Sequence, residues 1–329
     1  MALSNVLYAE KQYQYAIIPE TTAMTANVTS MKLIPVSGKP TITPNVFRRQ
    51  AVQAGTGNTA KAADIKVAPL GSITSISIPT YMEETLIMMF LENGAGKARV
   101  IETGELVIAF NHTPAACGKD VEFTDNTGTL TYAEISPIAA KTEVYAGCVV
   151  SSITVTATKG TDNGLFSATV ELLTQSPVLE GQSTPTGLAA YTLSSKTIGT
   201  LCDTSTIAAE AVNLNSLEVK YAFNPIHVGQ CTDGDAITIR KNVPELGVDY
   251  TIGYAVDGNF DEEQTKGRLA TTFALDFSDG TSSTLLFKSA SVNPTTTPTY
   301  TDVEGVAMWT LNAKAFALTS GNLAEIQIG

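Results

Sequence analysis

The chain has 329 residues and a mass of 34.6 kDa, with 20 basic and 32 acidic side chains and a formal charge of −12. At roughly 150 residues per domain the length points to about two domains, each large enough to bury a core without staples, and 43% apolar content with 25 glycines excludes a disordered or collagen-like chain. A pI near 4.6 excludes a protein that grips nucleic acid, because neutralising phosphates takes clustered Lys and Arg.

The 46 threonines are a β-branched excess that suits pleated surfaces better than helices. Residues 1–20 contain no basic segment followed by an apolar run, so no signal peptide is expected. Residues 48–63 are polar and Gly-rich and read as a long loop with Arg48, Arg49 and Lys61 near its ends. Thr80 and Glu83 have capping-box spacing. The apolar residues Leu86, Ile87, Met89, Phe90 and Leu91 follow, and Asn93-Gly94 supplies a stop, so a helix of about three turns is expected near 81–92. That apolar run is far shorter than a membrane span.

Strands are expected over 105–110 and 129–135. From Val149 onward, Val149, Ile153, Val155 and Ala157 alternate with Thr154, Thr156 and Thr158, the pattern of a half-buried strand. Asn163-Gly164 then turns the chain into a second apolar row, Phe166, Ala168, Val170 and Leu172, which predicts a hairpin. Residues 177–210 are rich in Ser, Thr and Gly with little periodicity and read as a linker. Further strands are expected over 249–256, 269–277, 284–288 and 307–317, while the Pro/Thr-rich 293–302 cannot form an interior strand.

Two segments echo each other in order: 27–33 resembles 213–219, and 71–78 resembles 267–275. One reading is chance similarity in a Thr-rich β-protein. The other is a tandem arrangement, with a β-domain over 1–176, a linker over 177–210 and a second, duplicated β-domain over 211–329. The fold class expected is therefore mainly β, with two small sandwich or barrel domains, one flanking short helix and long loops.

Chemistry-bearing patterns are scarce. His112 and His227 have no Cys, His or carboxylate at ligand spacing and read as structural or solvated. Cys117, Cys148, Cys202 and Cys231 contain no C-x-x-C and read as buried free thiols. Residues 55–60 match a loose G-x-G-x-x-A but neither follow a buried strand nor open a helix. Residues 257–268 begin like a calcium loop, then place Glu262 where the turn glycine belongs and Arg268 where the bidentate Glu belongs. Glu83 and Glu84 suit a helix start and not an acid/base pair. Trp309 reads as a core or interface residue. No catalytic, metal or cofactor site can be assembled, and the chain is expected not to be an enzyme.

The run Glu143-Val144-Tyr145-Ala146-Gly147-Cys148-Val149-Val150-Ser151-Ser152-Ile153-Thr154-Val155 resembles the Y-x-G-C-x-V-x-S segment of tail tube (major tail) proteins of long-tailed bacteriophages. Around it, an extended amino-terminal segment, the polar loop, the 86–91 helix, the 267–277 strand ending at Asp279-Gly280 and the closing 307–316 strand agree in order with that family. The resemblance implies a structural virion protein whose rings stack into the hollow tube that conducts DNA during ejection, assembled in the host cytoplasm. It implies the chain itself as partner. A duplicated chain would form homotrimeric rings with pseudo-sixfold symmetry, and a single-domain chain would form hexameric rings. Other tail proteins, such as the tape measure and tail terminator, are implied contacts, with no membrane partner and no cofactor. DNA would pass an acidic lumen without specific binding. Within this frame Arg48, Arg49 and Lys61 are candidates for the contact with the next ring. The alternative is a β-sandwich surface or decoration module that binds protein or glycan.

Overall fold

The computed structural model describes residues 13–22, 25–45, 48–50, 65–67, 73–82, 84–95, 100–102, 105–111, 121–122, 129–138, 141–159, 165–174, 179–180, 185–189, 206–207, 210–211, 213–223, 225–228, 238–241, 247–255, 271–277, 285–296, 299–303, 306–316 and 322–328. Among them the chain is mainly β and its strand ladders are antiparallel, with 24 strands and one helix.

With strands numbered in chain order, the larger layer runs β3 (Thr41–Asn45), β6 (Ile73–Tyr81), β12 (Ser167–Thr174), β11 (Glu143–Thr158), β16 (Leu214–Ala222), β19 (Gly247–Ala255), β23 (Val306–Ala315) and β22 (Thr299–Val303). A second layer runs β15 (Glu210–Ala211), β14 (Thr206–Ile207), β20 (Thr271–Asp276), β21 (Leu285–Pro294), β24 (Asn322–Ile328), β8 (Glu105–Asn111) and β7 (Val100–Glu102). A smaller sheet runs β2 (Lys32–Leu33), β1 (Gln14–Pro19), β10 (Leu130–Ile135), β11 and β13 (Leu179–Glu180). Short ladders join β9 (Val121–Glu122), β18 (Thr238–Lys241) and β17 (Pro225–Val228), and β4 (Arg48–Gln50) with β5 (Ile65–Val67).

Period-two alternation builds the core. In β12, Ala168, Val170, Leu172 and Thr174 are buried while the residues between them are half-buried. The layers meet face to face, as in a sandwich. Phe166 packs on Phe277 with ring centroids 4.9 Å apart, Tyr250 meets Phe273 edge-on at 5.2 Å, and the Tyr250 and Ser289 hydroxyls share a hydrogen bond of 2.6 Å. Each aromatic or aliphatic side chain fully buried there contributes about 1.5–3 kcal/mol. In β16 the ladder shifts register between Leu214 and Ser216, and Gly253 of β19 sits against Ser216 so closely that a Cβ would lie 2.3 Å from its Oγ. The bulge and the glycine fit each other.

β11 is shared by two sheets. Its first half pairs with β10 and β13, and its second half pairs with β12 and β16. The changeover is marked by Gly147 at φ 66° and a register shift between Val150 and Ser152. Positive φ is why glycine stands there. The Tyr145-to-Ser152 segment of the family-like run is thus the corner between the sheets.

The helix α1 spans Glu84–Ala95 and packs on β11 and β8. It starts and ends later than the expected 81–92, for two reasons. Thr80 and Tyr81 finish β6, and the Thr80 hydroxyl donates to the Pro35 carbonyl (2.7 Å), so Thr80 is not the helix cap. Asn93 and Gly94 do not stop the helix but fit it to the sheet. The Asn93 Oδ1 accepts the Val150 N–H at 2.9 Å, beside the register shift, and a Cβ on Gly94 would lie 2.4 Å from the Phe223 ring.

Other expectations change in detail. The expected loop 48–63 opens with β4. The linker 177–210 contains β13, β14 and residues that bond back to 28–33, with Ser30 N–H to Thr186 O at 2.8 Å and Ala189 N–H to Met31 O at 3.0 Å. Segment 293–302 includes β22, which pairs only with β23 among the described residues and so is an edge strand, as its Pro/Thr content requires. The echo of 27–33 with 213–219 falls on a two-residue strand in the first case and a nine-residue strand in the second. The larger layer takes four strands from 1–176 and four from 211–329, joined at β11–β16, while β8 of the first part pairs with β24 of the second.

Candidate assembly interface

Three features bear on function: the terminal strands of the layers, the separate ladder of β4 and β5, and a cleft beside β3. Among the described residues β3 and β22 are terminal strands of the larger layer and β15 and β7 of the second, while β23 also pairs with β21 from Val292↔Ala315 to Pro294↔Ala313 and so joins the two layers beside β22. A terminal strand presents unpaired amides and carbonyls that another chain can pair with. On β22, Tyr300 is 58% exposed and meets Trp309 edge-on with centroids 5.6 Å apart. Trp309, expected in the core or an interface, is partly buried against the core beneath that exposed ring.

β3 and β6 pair from Thr41↔Ser77 to Asn45↔Ile73, and β4 and β5 form a separate two-stranded ladder, Arg48↔Val67, Arg49↔Lys66 and Gln50↔Ile65. Of the three candidate contact residues, Arg48 and Arg49 share β4, and Lys61 lies outside the described residues.

Beside β3 lies a cleft of about 640 Å³ lined by Lys39, Thr41, Ile42, Glu134, Glu143 and Tyr145, among others. The hairpin from β10 to β11 makes Glu134 and Glu143 register partners, and β13 adds Glu180 opposite Glu143, a row of three acidic residues across three strands. Burial, and then the neighbouring Glu143 charge, hold the Glu134 carboxyl above the usual carboxylate range, outweighing the opposing pull of Lys39. The Tyr145 hydroxyl donates to Glu143 Oε2 at 2.7 Å, and burial followed by that bond to a carboxylate pushes the phenol upward. Glu134 and Glu143 were not singled out from the sequence.

A second carboxylate of the same sheet has a different setting. Glu20 is 2% exposed and accepts hydrogen bonds from the Thr129 hydroxyl (2.5 Å), the Thr131 hydroxyl (3.0 Å) and the Gly147 N–H (2.7 Å). It ties the end of β1 to β10 and to the corner of β11. Beside it, Cys148 is a buried free thiol whose pKa is pushed up to about 12, first by burial and then by the Glu20 charge. A thiol held protonated in this way is a packing group and not a nucleophile. Cys117, Cys202 and Cys231 lie outside the described residues.

The remaining sequence candidates are not brought together. His227 lies on β17 opposite Ile239, and His112, the 55–60 glycine segment, Glu83 and the 257–268 segment lie outside the described residues. Among the described residues no group of three or more His, Cys, Asp or Glu could hold a metal ion. No helix among them is long and apolar enough to cross a membrane. No protein-family model matches the chain, and no curated protein matches it.

Proposed function

We propose that this chain is a structural subunit that assembles with copies of itself into rings, and that the rings stack into the hollow tail tube of a long-tailed bacteriophage through which DNA leaves the virion. The observation that carries the reading is the pair of terminal strands β3 and β22, each of which pairs with a single neighbour among the described residues. Head-to-tail pairing of unlike edges continues a sheet from copy to copy, and such contacts close into a ring when the rotation per subunit fits. If the chain is a duplication, a trimer with pseudo-sixfold character is favoured, and hexameric rings are the alternative. The reading requires no catalytic step and no cofactor. The bore would carry part of the −12 charge of each chain, repelling phosphate over the roughly 8–10 Å reach of charge at physiological salt. Tape measure and tail terminator proteins are the further partners, and the virion tail is the location.

Negative-stain imaging and sedimentation of the purified chain test this reading. Rings or tubes are expected, and a monomer that persists at high concentration would count decisively against it. A second reading, a surface module that binds protein or glycan, draws on the exposed Tyr300 set edge-on against Trp309. A clear glycan-array hit lost on Tyr300→Ala would favour it.

A further inference from the structure

The two faces of the larger layer have opposite chemistry. One face is apolar and covered: Ile78, Val170, Ile153, Tyr221 and Val248 are successive register partners across five strands, and all are fully buried. The other face is turned to solvent in the single chain. Its register row is Pro79, Thr169, Thr154, Lys220, Asp249 and Lys314, every one half-buried or exposed. The rows on either side carry further hydroxyls, with Thr41, Ser77 and Ser152 in one and Ser167, Thr156 and Thr251 in the other. From β3 to β23 the described side chains of this face include two lysines, Lys220 and Lys314, and three acids, Glu171, Glu218 and Asp249, a net −1 in a chain of −12. Both lysines have Asp249 as a register partner.

Continuing this layer from copy to copy makes it the wall of a barrel, and the second layer then lies either inside or outside that wall. With ~4.8 Å between strands and a tilt of ~40°, three copies of eight strands close at a radius of ~24 Å. Packed sheets stand ~10 Å apart, so a layer placed inside runs at ~14 Å, where only about five strands per copy fit. The second layer has seven: β15, β14, β20, β21, β24, β8 and β7. Outside, at ~34 Å, about eleven strands per copy fit. Six copies do not reverse the outcome, since the inner position then holds about six strands per copy.

We propose that the hydroxyl face of the larger layer lines the bore, and that duplex DNA passes over it because the wall offers no cluster of cations, with little contribution from charge repulsion. This rests on the ring reading and deepens it by naming the surface that the DNA meets. Holding phosphates takes clustered Lys and Arg, and on this wall the two lysines flank an aspartate. Three copies place only −3 on it.

Thiol labelling of the full chain tests the assignment. Thr154→Cys stands in the middle of the hydroxyl face, and Thr272→Cys stands on the outward face of the second layer, where Thr272 is exposed. Each is treated with a small maleimide and with a maleimide on a large branched polyethylene glycol, and gel shifts are read over the wild-type background. In assembled tubes Thr154→Cys should react at least tenfold faster with the small reagent than with the large one, while Thr272→Cys reacts with both. In the monomer fraction both positions should take both reagents. Tubes in which Thr154→Cys takes the large reagent freely, or refuses both, would overturn the proposal, as would shielding of Thr272→Cys instead. A second measurement adds a cation to the wall. Tubes of Thr169→Lys, or of Thr156→Lys, should retain a short DNA duplex at least tenfold more than wild-type tubes at low salt and release it as salt rises. Retention unchanged in both variants would overturn the bore assignment while leaving the ring reading intact. A wild-type chain that never assembles would overturn both.

Discussion

Two rows of charged residues each cross three strands, and they follow opposite rules. In the larger layer Lys220, Asp249 and Lys314 are successive register partners on β16, β19 and β23, exposed and alternating in sign. In the smaller sheet Glu134, Glu143 and Glu180 occupy the equivalent relation on β10, β11 and β13, all of one sign. Cross-strand pairs of opposite charge contribute roughly 0.2–1 kcal/mol, and like pairs cost similar amounts. The first row is compensated within the chain. In the second, Lys39 opposes the burial and the Glu143 charge that raise the Glu134 pKa, and the Glu143 carboxylate accepts the Tyr145 hydroxyl. Glu20, another carboxylate in the smaller sheet, is buried and accepts three in-chain hydrogen bonds. Glu20 therefore ties the fold, while the Glu134–Glu143 pair sets like charges side by side.

The comparison can be broken first at Glu20. Glu20→Ala leaves the Gly147 N–H and two threonine hydroxyls without their buried acceptor. An unsatisfied buried donor costs about 1–3 kcal/mol, so urea denaturation should show a loss of at least ~3 kcal/mol, and a loss below ~1 kcal/mol would remove Glu20 from its role as a tie. Asn93→Ala strands the Val150 N–H at the register shift of β11 and should cost about 1–3 kcal/mol in the same measurement. Converting the alternating row into a uniform one, by Asp249→Lys, sets two like-charge pairs in place of two opposite ones and should cost about 0.5–2 kcal/mol at low salt, shrinking as salt is added.

The smallest expected effect has the opposite sign. Glu134→Gln removes a like-charge neighbour and should stabilise the monomer by about 0.2–1 kcal/mol at neutral pH. The Glu134 pKa is raised in the folded state, so its ionised form penalises the fold above that pKa, and protonation relieves the penalty as pH falls through it. The advantage of the glutamine variant should therefore narrow from neutral pH downward through the raised Glu134 range and vanish once the carboxyl is protonated in both folded and unfolded chains. An advantage that grew on acidification would contradict the assignment. As a sharper probe of the corner beside Glu20, Cys148 should resist alkylation at pH 8 in the native protein and react on unfolding, since its pKa is pushed up to about 12.

Much of the fold was legible because period-two alternation is a local property. The Val149–Ala157 and Phe166–Leu172 rows fall on β11 and β12, which pair from Val149↔Leu173 to Thr156↔Ser167. What the alternation could not reveal is that β11 begins at Glu143 and belongs to two sheets, because its partners β10, β13 and β16 are remote in sequence or on the far side of a turn. The helix was misplaced by several residues because Thr80 has two uses for its hydroxyl, and the tertiary bond to Pro35 prevailed over the local cap. Asn93-Gly94 looked like a stop for the same reason, since the demands of β11 and Phe223 on those residues are tertiary. For the candidate interface, Arg48 and Arg49 stood out as charges in a polar segment. Glu134 and Glu143 emerged as neighbours only once the β10–β11 register was known.

The most direct test of the account is the assembly state of the purified full-length chain, followed by sedimentation velocity with negative-stain imaging across a concentration and salt series. The account predicts rings or stacked tubes. A single monomeric species at every concentration and salt would contradict it.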